Sequence, residues 1–278
     1  MVAMMINIFL LPTLYVLDRW HSRQAPGRRR ELPRRIAALL SVAGIHCARY
    51  SDVAMNREQI RERIQEIGLI PAIRVSSPQD AMFAAEAVFN HGIPIVEVTM
   101  TVPGAIEVIT ELARNRPAVI VGAGSVADVE TAARCVDAGA KFLTSTGLDL
   151  GVVHFAVEQD VVVIPGVLTP TEVLAAWKAK PDFVKIFPCA PVGGPAYVRA
   201  LRGPFPDVPF IASGGVNQQT ALDFLLAGAV AVGIGGELIP HEAIARRQEH
   251  RIGELARRFL GMVQEARSRK HPSPPASR

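Results

Sequence analysis

The sequence predicts an α/β chain folded as a (β/α)8 barrel of the TIM type, and three observations predict it. From Leu69 onward short apolar runs alternate with amphipathic stretches, eight times in succession. The runs are apolar throughout, the pattern of strands buried on both faces of a parallel sheet that helices cover. The units are also similar in length and stop at eight, which closes a barrel, whereas an open doubly wound sheet has no reason to stop there.

Taken in order, Met55 opens a helical pattern, MNREQIRERIQEIG, with Ile60, Ile64 and Ile67 on one face. The strands follow as LIPAIRV from Leu69, PIVEVTM from Pro94, AVIVGAG from Ala118 and KFLTSTG from Lys141. They continue as VVVIPG from Val161, DFVKIFP from Asp182, VPFIASGG from Val208 and AVAVGIGG from Ala229. The helical stretches between them are SPQDAMFAAEAVFNHG, VPGAIEVITELARN, DVETAARCVDAG, DLGVVHFAVEQ, TPTEVLAAWKA, GPAYVRALRG and NQQTALDFLLAG, with a C-terminal helix last. Gly68, Gly92, Gly139 and Gly228 stand where helices end, as the position after a helix prefers. The barrel is expected over residues 55–267, with residues 268–278 as a disordered tail.

The 278 residues and 30.0 kDa suffice for one large domain with a filled core, and the mean hydropathy of +0.24 fits strands buried on both faces. The net charge of +4 and pI of about 9.2 raise the question of an anionic macromolecular partner. The basic residues gather at Arg28, Arg29, Arg30, Arg34 and Arg35, and again at Arg267, Arg269 and Lys270. Between these flanks the charge is near balance, so they read as solvated ends and no nucleic-acid partner is expected. Cys47, Cys135 and Cys189 are odd in number and far apart. They show neither a disulfide framework nor metal-ligand spacing, which favours a reducing, cytoplasmic location. The seven histidines include no pair at i, i+4, so no metal and no cofactor is expected.

Residues 1–54 read differently. The run MVAMMINIFLLPTLYVL is apolar, but Pro12 interrupts it and positive charge follows instead of preceding it, unlike a secretory signal. It is marginal in length for a membrane span, and a membrane anchor is the sharper alternative. Residues 21–35, rich in arginine with two prolines, read as disordered. The expected functional chain starts at Met55, with residues 1–54 a non-native or disordered extension and no membrane partner.

A barrel of this kind carries its active site at the C-terminal ends of its strands. That places Arg74, Glu97, Thr99, Ser125, Lys185 and the glycine pairs after strands seven and eight at the site. Strand side chains alternate faces, so with Val184 and Ile186 outward, Lys185 points into the barrel. By the same alternation Val96 and Val98 face out while Glu97 and Thr99 face in. Strands two and six fill the same interior layers, so Glu97 and Lys185 can approach across the axis. A buried ion pair kept only for structure gives little net stability. A lysine in an apolar site, by contrast, has a lowered pKa and becomes an amine nucleophile towards a carbonyl, with Glu97 as general acid/base.

Two further features bear on an anion. Ser213, Gly214 and Gly215 leave strand seven towards a helix, and Gly235 and Gly236 leave strand eight. Glycines permit close backbone approach, N–H groups at a helix N-terminus attract anions, and these two loops are where phosphate sites of the fold often lie.

The segments EVTMTVPGA, VGAGSV, PGVLTPTE, VKIFPCAPVGGP, RGPFPDV and ASGGVN together resemble the 2-keto-3-deoxy-6-phosphogluconate / 4-hydroxy-2-oxoglutarate aldolase family, from about Met55 to Arg267. The resemblance implies a metal-independent class I aldolase, usually a homotrimer, that releases pyruvate and an aldehyde. By matching motif it implies Lys185 as the Schiff-base lysine, Glu97 as the acid/base, and Arg74 at the mouth of the site. It further implies Ser125, where threonine is usual, on the pyruvoyl carboxylate; Thr99, inward at the end of its strand, and Thr146 are expected beside the substrate. Ser213, Gly214, Gly215, Gly235 and Gly236 would hold phosphate. Three positions depart from the pattern: Thr101 replaces an arginine of some members, Thr146 a proline, and Glu237 a phosphate-binding serine. The alternatives are an aldolase for an unphosphorylated keto acid, a barrel isomerase or synthase for a phosphorylated metabolite, or a ligand-binding relative without turnover.

Overall fold

The computed structural model describes residues 55–270. The apolar run, the arginine-rich segment and Cys47 lie outside the described residues, as does the tail from residue 271. The barrel opens with helix α1 (Arg57–Ile67), started by a capping box in which Asn56 and Gln59 satisfy each other's backbone N–H groups. Its buried face is Ile60, Ile64 and Ile67, the predicted stripe. Strands β1 (Leu69–Ile73), β2 (Ile95–Thr99), β3 (Ile120–Gly124) and β4 (Phe142–Thr144) alternate with α2 (Pro78–Asn90), α3 (Ala105–Asn115) and α4 (Val129–Asp137). After α5 (Leu150–Glu158) come β5 (Val162–Ile164), β6 (Gly166–Val167), α6 (Pro170–Lys178) and β7 (Val184–Ile186). A 3-10 turn (Ala190–Val192), α7 (Gly194–Arg202), β8 (Phe210–Ser213), α8 (Ala221–Leu226) and β9 (Ala231–Ile234) complete the sheet region.

Every strand pairing is parallel, in the order β5-β4-β3-β2-β1-β9-β8-β7-β6. The two end strands are consecutive in the chain. They are the predicted fifth strand, divided at Pro165, which has no N–H for the ladder. The Pro165 carbonyl still accepts from Lys185 N at 2.9 Å, so the sheet comes round on itself as a nearly closed barrel. The helices start where the turns leaving the strands supply caps. Ser77, Asp128, Asp149 and Thr169 each accept a hydrogen bond from the third residue of the helix that follows. The predicted C-terminal helix is two helices, α9 (His241–Ala245) and α10 (Glu249–Lys270), parted at Arg247, whose φ is 51°. Helix α10 runs three residues beyond the expected barrel end at Arg267.

The end of the barrel opposite the site is closed by α1. Asp182, just before β7, accepts Arg57 Nε at 2.9 Å and Nη2 at 3.0 Å, and also Val163 N at 2.9 Å. One carboxylate thus ties the opening helix to two strands, and its bidentate partner is the geometry in which an arginine pair is strong. Inside the barrel, Phe142 is fully buried and its ring occupies the place a side chain on Gly122 would need; a Cβ there would lie 2.3 Å from Phe142 Cζ. Gly122→Ala is therefore expected to lower stability by about 1–3 kcal/mol, the usual cost of overpacking, in denaturant unfolding, with Phe142→Leu relieving part of it. Unchanged stability in the single variant would show that the ring moves freely.

Candidate active site

The rule of alternation places β2, β4 and β7 side chains in one interior layer, and the structure brings three of them together. Lys185 and Glu97 are 6% and 7% exposed, while Val184, Ile186, Val96 and Val98 are fully buried on the other face. Lys185 Nζ donates to Thr144 Oγ1 at 3.2 Å and lies 5.4 Å from the centre of the Phe187 ring. The Glu97 carboxylate lies over Gly124, where a Cβ would come within 2.0 Å of Oε1. No ion pair joins Lys185 to Glu97 among the described residues. The charge of Glu97 acts on the Lys185 amine, but the side chain against the lysine nitrogen is Thr144. Alternation applied to KFLTSTG puts Thr144 on the same face as Phe142; extending it to the fourth strand would have found this residue.

Thr99 corrects an expectation. Its side chain is fully buried and its hydroxyl donates to Ile73 O at 2.9 Å, bracing β2 against β1. The 2.7 Å contact between Thr99 and Thr101 hydroxyls then has Thr101 as donor, because the Thr99 hydrogen is already committed. Thr101, at the place of the missing arginine, therefore turns lone pairs outward, which suit a substrate hydroxyl and repel a carboxylate. Ser125 is half-buried at a φ of 58°, in the left-handed region that a residue with a side chain adopts at a cost. Thr146 is exposed on the turn after β4. Its neighbour Ser145 is buried, accepts from Gly166 N at 3.0 Å and donates to Gly147 O at 2.6 Å, fixing that turn.

The glycine loops differ from expectation in one respect. Gly214 and Gly215 have φ of 85° and 87°, but α8 begins only at Ala221. Their N–H groups therefore belong to a loop, not to a helix N-terminus. The loop packs on the β7–α7 connection: Cys189 N and Ala190 N donate to Ser213 O and Gly214 O at 2.9 and 3.0 Å. A Cβ on Gly214 would meet Pro188 at 2.8 Å, and one on Gly215 would meet Ala190 at 2.4 Å, so both glycines are required by packing whatever they bind. Ser213 Oγ donates to Gly233 O at 3.3 Å. Gly236 and Glu237 are exposed and Gly235 half-buried, with open space around Gly236.

Burial holds the Lys185 amine below the ordinary lysine value of 10.5. The negative charge of Glu97 pulls it back up, and Arg74 pushes it further down. Arg74 is exposed and forms no ion pair among the described residues. Among the described residues, no three His, Cys, Asp or Glu side chains gather where they could share a metal ion, and no helix is long and apolar enough to cross a membrane. Cys135 and Cys189 are free and buried, with thiols pushed up to about 11 and about 12 by desolvation.

The direction of the Lys185 shift gives a testable titration. Competitive acetylation across about pH 6–11, read by mass spectrometry, should place the midpoint for Lys185 below 10.5. Glu97→Gln removes the charge that favours the ammonium and should lower the midpoint further; Arg74→Ala should raise it. A midpoint at the ordinary value in all three proteins would mean that water reaches the amine.

Known proteins share this arrangement of chain. Residues 60–255 match the family model for KDPG and KHG aldolase. The 2-dehydro-3-deoxy-phosphogluconate aldolase of Pseudomonas aeruginosa is 31% identical over 216 residues, covering 76% of this chain and 98% of the relative. The KHG/KDPG aldolase of Escherichia coli K12 is 32% identical over 189 residues, 68% of this chain and 89% of the relative. The crystal structure of the KDPG aldolase of Legionella pneumophila, with pyruvate captured as a covalent carbinolamine, superposes with a TM-score of 0.67 at 31% identity, over 70% of this chain and 95% of that one. The matched span takes in Lys185, Glu97 and both glycine loops, and on it the chain belongs to the KDPG and KHG aldolase family.

Proposed function

We propose that Lys185 is the Schiff-base lysine through which this aldolase cleaves 2-keto-3-deoxy-6-phosphogluconate, or a close 4-hydroxy-2-oxo acid, to pyruvate and an aldehyde. The observation that carries the reading is a lysine buried inside the barrel, its amine held below the ordinary lysine value by desolvation, with no ion pair to Glu97 among the described residues. A neutral amine attacks the 2-keto carbon and gives a carbinolamine, which loses water to an iminium ion. Glu97, directly or through water, takes the proton of the C4 hydroxyl. The C3–C4 bond breaks, its electrons pass to the iminium, and the aldehyde departs. The enamine is protonated at C3, and water releases pyruvate and restores the amine.

Arg74 is the cation at the mouth that suits the keto-acid carboxylate, with the Ser125 hydroxyl beside it and Thr146 at the rim. Thr101, acceptor-only outward, suits a substrate hydroxyl, and Thr99 is left to brace the strands. Ser213, Gly214, Gly215, Gly235 and Gly236 supply backbone N–H groups for a phosphate, the Ser213 hydroxyl hydrogen being directed at Gly233 O. We further infer a cytoplasmic homotrimer. In support, Leu150 and Leu174 are 43% and 47% exposed and line one groove between α5 and α6, an apolar surface suited to a subunit contact.

Pyruvate with borohydride is expected to modify Lys185, and Lys185→Ala to be inactive. Glu97→Gln should still form the adduct but cleave substrate about 10²–10⁴ times more slowly. Modification at a different lysine with full activity in Lys185→Ala would sink the mechanism. Glu237 is exposed, so its carboxylate has water to screen it and phosphorylated substrate should be preferred. The comparison is kcat/KM for 2-keto-3-deoxy-6-phosphogluconate against its unphosphorylated form. Glu237→Ser should change the ratio only modestly, and a reversal of preference by the serine would place the carboxylate against the phosphate.

A further inference from the structure

Thr144 is the side chain that hydrogen-bonds the reacting nitrogen. Its Oγ1 is 3.2 Å from Lys185 Nζ and the residue is 2% exposed. It is the last residue of β4, paired with Ile164 across the ladder, and its carbonyl accepts from Val126 N at 3.0 Å. Its backbone is therefore held on both sides, and a β-branched side chain in a strand has restricted rotation about χ1. The hydroxyl is a fixed object against which a flexible lysine chain is set.

We propose that the Thr144 hydroxyl is the hydrogen-bond acceptor for the N–H of the Schiff base, and that it sets the plane of the iminium against Glu97. This rests on the reading of Lys185 as the Schiff-base lysine. The chemistry follows from counting hydrogens. A neutral amine carries two N–H groups and a lone pair; with one N–H on Thr144, the lone pair is confined to directions away from β4. Once water is lost, the iminium nitrogen keeps a single N–H and a positive charge, in a place from which burial excludes water. An unpaired N–H there would cost several times a normal hydrogen bond. A carboxylate as its acceptor would stabilise the cation and weaken it as an electron sink. A neutral hydroxyl satisfies the N–H and leaves the charge to draw electrons from the C3–C4 bond. Glu97, over Gly124 with no ion pair to Lys185 among the described residues, stays available for the proton at C4. Thr144 is thus a positioning residue that divides the work: one group for the nitrogen, another for the proton.

The test compares Thr144→Val, which keeps the shape and removes the hydroxyl, with Thr144→Ser, which keeps the hydroxyl. Thr144→Val should still give the pyruvate–borohydride adduct at Lys185. Its kcat should fall about 10- to 100-fold, the range for one hydrogen bond to a charged group, with KM changed much less. The rising limb of its pH profile should move to lower pH, because loss of the acceptor disfavours the ammonium further. Thr144→Ser should recover most of kcat and the position of the limb. Should the valine variant fold poorly, Thr144→Ala against Thr144→Ser makes the same comparison. Wild-type kcat and pH limb without the hydroxyl, or a serine variant as slow as the valine, would overturn the inference while the adduct leaves the Schiff base standing. Absence of the adduct from the wild-type protein would overturn both.

Discussion

The Lys185 amine is kept from water, and much of the barrel can be read as the means of doing so. Desolvation is the largest influence on Lys185, whose side chain is buried in the interior on β7. The ladder continues beneath it through the Pro165 carbonyl, which accepts the Lys185 backbone N–H. The proline that divides the fifth strand therefore does not open the barrel at the place where water would do most harm. A charge held in such a position is unfavourable, and a hydroxyl on β4 and the face of the Phe187 ring lie against the nitrogen, with the Glu97 carboxylate two strands further round on β2.

Room for those partners comes from what β3 lacks. Gly122 and Gly124 leave two gaps on the interior face of β3, and Phe142 and Glu97 fill them. One vacancy admits a large ring that fills the core; the other admits the carboxylate of the site. Packing and chemistry are in this way two heights of the same strand. The loop of Ser213, Gly214 and Gly215 follows a related logic. Its positive φ values and its contacts with Pro188 and Ala190 demand glycine, and the same close packing fixes a set of backbone groups beside the lysine strand. The packing reason for these glycines is compatible with a binding one, because a loop that holds an anion with its backbone must first be rigid.

The sequence by itself determined the barrel, the inward direction of Lys185 and Glu97, and the family, because these depend on periodicity, alternation and local motif. Apolar runs of the right length can be buried only as parallel strands under helices, and a strand cannot turn one residue inward without turning its neighbours outward. Only the tertiary structure decided which side chain meets the lysine nitrogen, how Thr99 and Thr101 share their hydrogens, and that Gly214 and Gly215 sit in a loop ahead of α8. Lys185 and Thr144 are 41 residues apart in the chain, and their contact depends on the stagger between strands, which no local pattern encodes. The direction of a hydroxyl hydrogen depends in turn on every acceptor within reach, and the Ile73 carbonyl that settles it for Thr99 belongs to another strand.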